Sequence, residues 1–112
     1  MSKIEFCLES LIESIEKIEI YTSNFCDADD FFYDMKSFDA TMMQFIVIGE
    51  NITKLDDNFK NAHPNIPWQK IKNLRNIVAH NYFGIDAQEV WEIIKDKLLP
   101  FKKDIENIKN NL

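Results

Sequence analysis

From Ile4 to Ile18 the apolar residues Ile4, Leu8, Leu11, Ile15 and Ile18 recur at spacings of four and three, while Glu5, Glu9, Glu13 and Glu16 fall on the other side. That period predicts a long amphipathic helix with a solvated acidic face, ending near Tyr21 or Thr22. A second stripe, Met42, Phe45, Ile46, Gly49, Ile52 and Leu55, predicts another long helix over about 37–58. Gly49 lies inside that stripe. A glycine within a helix costs ~1 kcal/mol relative to alanine, so its expected use is to let another helix come close. Between the two, CDADDFFYDMKSFD predicts a short helix through Phe31 to Tyr33, with the Asp27, Asp29 and Asp30 cluster as capping and solvated acids rather than a cation site.

The stretch NAHPNIPW holds two prolines, and Pro67 suits the start of a helix whose apolar stripe is Trp68, Ile71, Leu74, Ile77 and Val78. It should run to about Tyr82, before Gly84. Asp86, with Glu89 three positions on, predicts a capped helix with Val90, Trp91, Ile94 and Leu98 inward. Pro100 is expected to break it, leaving Phe101, Ile105 and Ile108 for a short closing helix. The sum over residues 1–112 is a single all-α domain, an antiparallel four- to five-helix bundle. Only two glycines and three prolines leave little room for the tight turns of an all-β fold.

The first residues alternate apolar side chains with acids, so neither a signal peptide nor a membrane span is expected, and the chain reads as cytoplasmic. Cys7 and Cys26, nineteen residues apart, read as reduced and partly buried thiols. Two histidines seventeen residues apart match no metal-ligand spacing, and no metal or cofactor is expected. His63 reads as a loop residue.

A net charge of −6 argues against a chain that coats nucleic acid, but the charge is segregated. Residues 1–57 carry thirteen acids against four lysines, whereas between Asp57 and Asp86 there is no acid, only Lys60, Lys70, Lys72 and Arg75. Arg75 is the one arginine beside twelve lysines. Its planar fork of donors suits a phosphate in a way that a lysine does not. It opens the stretch RNIVAHNY, which also holds Asn76, His80 and Tyr82.

On a helix, Tyr82 returns to nearly the same face as Arg75, while His80 is rotated by ~140° and shares its side with Asn76. No single helix surface aligns all three. Spacing alone favours an ordinary polar helix end. Metal-free RNA cleavage, however, needs a base for the 2′-OH proton, an acid for the leaving oxygen and a cation for the phosphorane. Two copies of this stretch about a two-fold axis would supply two histidines and two arginines. Glu50 reads equally as a surface acid or as part of a buried polar network.

The string resembles the RX4HXY motif of HepT-like toxins in the HEPN superfamily, with Arg75, His80 and Tyr82 at its fixed positions. Ile48 to Glu50 (IGE), His63 to Trp68 (HPNIPW), Arg75-Asn76 and Tyr82 to Asp86 (YFGID) are similar to that family in order and spacing, over roughly residues 38–105. The resemblance implies a homodimeric helical bundle acting as a metal-independent endoribonuclease on tRNA or mRNA. It also implies an MNT-type nucleotidyltransferase antitoxin that adds AMP to Tyr82, while the motif string and the acid-free window together mark Arg75 and His80 as catalytic residues assisted by Asn76 and Lys72. A catalytically silent bundle that binds a nucleotidyltransferase is the other reading.

Overall fold

The computed structural model describes residues 2–80 and 82–112, and among these every regular element is helical. Helix α1 spans Lys3–Thr22, α2 Ala28–Tyr33, α3 Met35–Lys54, α4 Asp57–Asn61, α5 Trp68–Lys72 and α6 Leu74–His80. A single 3-10 turn, Tyr82–Gly84, precedes α7 (Ala87–Glu92), which runs through a π-helical segment, Ile93–Leu98, into α8 (Leu99–Asn110). Four rods thus pack together: α1, α3, α5 with α6, and α7 with α8. The expected all-α bundle is present.

The apolar stripes become the core. Leu8, Leu11, Ile15 and Ile18 of α1 are fully enclosed with Met42, Phe45, Ile48 and Ile52 of α3, and with Leu98, Phe101 and Ile105 of the C-terminal rod. Side chains of this size each contribute roughly 1.5–3 kcal/mol on full burial, so the two periods sensed in the sequence carry most of the driving force. Ion pairs fix the direction of the rods. Lys102 meets Glu19 at 3.1 Å and Glu16 at 3.9 Å, and Lys109 meets Glu9 at 3.0 Å, so α8 runs antiparallel to α1.

The Asp-rich connection is local capping. Asp27 Oδ1 accepts from the Asp30 amide at 2.9 Å and starts α2, and Asp34 does the same for α3 through the Ser37 amide at 3.0 Å. Phe31 of α2 is buried against Phe25, Phe38 and Trp91. Cys7 is buried and Cys26 exposed, both free.

Three boundaries differ from expectation, each for a local reason. Helix α3 ends at Lys54, because Leu55 turns to extended backbone (ψ 134°) and buries its side chain, after which Asp56 caps α4 by accepting from the Phe59 amide at 2.7 Å. The expected helix over 68–82 is interrupted at Asn73. There the Asn73 carbonyl takes the Asn76 amide at 2.9 Å, a tighter i→i+3 bond, so α5 closes and α6 restarts. Pro100 does not break the last rod. The π-helical turn before it moves the hydrogen bonding to wider i→i+5 spacing, so proline's missing amide and its clash with the preceding turn are accommodated.

Gly49 does what its place in the stripe suggested. A Cβ built there would lie 2.7 Å from Arg75 Cβ and 3.0 Å from the Lys72 carbonyl oxygen, so α3 and the α5–α6 rod touch backbone to backbone. Neither neighbour is the far end of a flexible side chain. Gly49→Ala should therefore destabilise the fold by about 1–3 kcal/mol, despite alanine's better helix propensity. Urea unfolding checks this, and a variant as stable as wild type would contradict the close approach.

Candidate functional site

The site rests on the antiparallel contact of α3 with α6 and the turn that follows it. Glu50 of α3 meets Arg75 near the start of α6, and Asp39, eleven residues earlier on α3, meets Tyr82 beyond its end. Eleven residues is three helical turns to within ~20°, so Asp39 and Glu50 stand on one face of α3 about 16 Å apart. Between them on that face lies Met43, 56% exposed.

Arg75 Nε donates to Glu50 Oε1 at 2.5 Å. The side chains are 47% and 49% exposed, so the pair contributes no more than about 1 kcal/mol. It orients the guanidinium without locking it. The bond engages one of five N–H donors, which leaves donors for a phosphate. Around this pair Thr53, Gln69, Lys72, Asn73 and Asn76 line a cleft of about 370 Å³. Three of the residues singled out in the sequence, Lys72, Arg75 and Asn76, thus share one cleft.

His80 and Tyr82 are not in it. His80 is exposed at the last residue of α6, on the side of Asn76 rather than Arg75. Tyr82 sits in the 3-10 turn, half-buried, with its ring edge-on to Phe38 (centroids 6.2 Å apart) and its hydroxyl donating to Asp39 Oδ1. Burial, then the Asp39 hydrogen bond and the Asp39 charge, raise its pKa from the ordinary 10.0 to about 12. Asn81, between the two, lies outside the described residues.

Next in chain, Phe83 is 99% exposed and packs its edge against Tyr82, with Tyr33 and Met35 exposed on the neighbouring elements. Rings step from Tyr33 to Phe32, Phe38, Tyr82 and Phe83 at 5.1–6.2 Å between neighbours. The end of the bundle that carries His80 is therefore aromatic and partly uncovered.

A family model for HepT-like ribonucleases matches residues 11–108. The chain belongs to the ribonuclease HepT-like family. The match takes in most of α1, which the motif string left unassigned. Among curated relatives, the "Probable ribonuclease HepT" of Thermococcus cleftensis is 33% identical over 102 residues, covering 91% of this chain and 92% of that protein. A "Putative RNase" of Methanocaldococcus jannaschii is 32% identical over 108 residues, covering 95% and 98%. A third relative, the "Gamma-glutamylcyclotransferase and putative RNase" of the same organism, is 34% identical over 109 residues, but this chain spans only 49% of it. No solved structure matches the chain.

In this HepT-like chain, sequence reasoning missed Asp39 and left Glu50 open. Their shared α3 face, three turns apart, is a signal that could have placed them opposite the motif helix. Among the described residues no three His, Cys, Asp or Glu side chains gather as metal ligands, and no helix is long and apolar enough to cross a membrane.

Because the folded state holds the Tyr82 proton more tightly than the unfolded chain, the burial of this hydroxyl together with its Asp39 contact favours the fold below pH 10, and the contribution is lost as pH rises toward 12. A spectroscopic tyrosine titration should contain a step near pH 12 that Tyr82→Phe removes. The same step in the variant would contradict the Asp39 contact.

Proposed function

We propose that this HepT-like protein is an endoribonuclease toxin that cleaves RNA without a metal, at a site completed by two copies of the chain. The observation that carries the reading is the cleft in which Arg75, Lys72 and Asn76 converge, within the one acid-free window of an acidic chain. Membership of a ribonuclease family supports the RNA substrate.

In the proposed reaction the 2′-OH attacks the adjacent phosphorus. Its proton passes to His80, and the 5′-oxygen leaves with a proton from the partner subunit's His80. Arg75 holds the phosphate oxygens as charge builds on them, and Lys72 and Asn76 bind the same phosphate. One helix turns His80 ~140° from Arg75, so a second chain is the economical way to bring an arginine and two histidines around one phosphate. The exposed Phe83, Tyr33 and Met35 at the His80 end supply apolar surface for that pairing.

Tyr82 is the proposed off switch, modified with AMP by an MNT-type nucleotidyltransferase antitoxin. Its hydroxyl must leave Asp39 to be modified. The added phosphodiester then carries negative charge and bulk next to the Asp39 carboxylate and two residues from His80, where it opposes the approach of an RNA phosphate to the histidine. The second reading, a catalytically silent partner of a nucleotidyltransferase, draws on the Glu50 carboxylate that already holds Arg75. Growth arrest on expression without the partner separates the two, and harmless wild-type protein would favour the silent bundle.

Purified protein should degrade total RNA in EDTA, with His80→Ala and Arg75→Ala at least ~100-fold slower. Equal degradation by wild type and His80→Ala would contradict the assignment. Co-expression with the nucleotidyltransferase should add AMP to the peptide containing Tyr82, and a neutralised complex with unmodified Tyr82 would refute that role.

A further inference from the structure

Beside the Arg75 cleft lies a second one, of about 550 Å³, and the two share Gln69 and Lys72 on their common wall. Its polar lining includes Lys60, Lys70 and Asn61, over a floor formed by Trp68 and Ile66. We infer that this second cleft is a subsite for the sugar-phosphate backbone of single-stranded RNA, continuing the strand away from the phosphate that Arg75 holds. The inference rests on the ribonuclease reading and adds to it a route for the rest of the substrate.

The placement follows from the helices. Gln69, Lys72, Asn76 and His80 follow one another at spacings of three and four along α5 and α6, so a polar stripe runs from the second cleft past Arg75 to the exposed histidine. All four cations between Asp57 and Asp86 line these two clefts: Lys60 and Lys70 the second, Arg75 the first, and Lys72 both.

Two acids in the lining, Glu50 and Asp57, against four cations leave the two clefts with a net charge of +2. Glu50 is engaged with Arg75, and Asp57, 96% exposed at the rim, lies 3.9 Å from Lys60. Lys60 is held in place, its ammonium 3.4 Å from the Ile52 carbonyl in the last turn of α3, a position where a lysine complements the helix dipole. A fixed cation with donors to spare is what a phosphate subsite requires.

Residues 1–57 carry thirteen acids against four lysines, with five of the glutamates on α1, so a polyanion is repelled from that part of the surface and focused on this strip. A backbone subsite reads phosphates and not bases, so it confers affinity and direction rather than sequence preference.

Binding of a mixed-sequence 2′-O-methyl RNA 20-mer, which a 2′-OH mechanism cannot cleave, tests this across a salt series. Each lysine removed from a single-strand contact should lower the slope of log K against log salt by about 0.7, so Lys60→Gln with Lys70→Ala should lower it by about 1.4. Lys103→Ala, outside both clefts, should leave it unchanged. Should Lys60→Gln disturb folding, Lys70→Ala alone must still lower the slope by about 0.7. If wild type cleaves RNA but the slopes of wild type and Lys70→Ala coincide, the subsite is wrong and the ribonuclease reading stands. If wild type neither binds the 20-mer nor cleaves natural RNA, both fall.

Discussion

The close approach of α3 and the α5–α6 rod at Gly49 is the constraint on which the site depends. Only a residue without a Cβ lets the Arg75 Cβ and the Lys72 carbonyl come so near to α3. That contact sets the distance at which Glu50 can reach the guanidinium. It also sets where the rod's end meets α3, so that Tyr82 lands on Phe38 and Asp39. A bulkier residue at this point would push the rod outward, and both polar contacts would lengthen together.

The two contacts across this seam have opposite electrostatic characters. Glu50 and Arg75 form a half-exposed pair that water screens, so it orients a cation that a phosphate can take over. Tyr82 and Asp39 form a more sheltered contact, in which a neutral hydroxyl satisfies a carboxylate that has no cation beside it in the contact. The first suits a group that must engage substrate. The second suits a group whose covalent modification would bring two negative charges together, so modification there has a structural consequence as well as a steric one.

Much of this architecture was legible in the sequence. The 3.6-residue period of α1 and α3 marked the core residues, and the glycine within the α3 stripe marked the close approach. Where local hydrogen bonding departs from the regular α pattern, the period misled: Asp56 capped a new helix, an i→i+3 bond at Asn73 interrupted one, and a π-helical turn absorbed Pro100. The motif string gave Arg75, His80 and Tyr82 but not their partners. Those partners come from another helix, and only tertiary packing decides which acids of an acidic chain face the motif. The helical rotation between Arg75 and His80 was also readable, and it carries the argument for a site shared by two chains.

The proposed sharing of the site by two chains is open to direct measurement. Mixed dimers of one wild-type chain and one Arg75→Ala/His80→Ala chain can be isolated with two different affinity tags and assayed on RNA. These dimers should retain far less than half of the wild-type activity, because every site then lacks one histidine and one arginine. Activity at half of wild type would show that each copy is sufficient by itself, and would contradict the composite site.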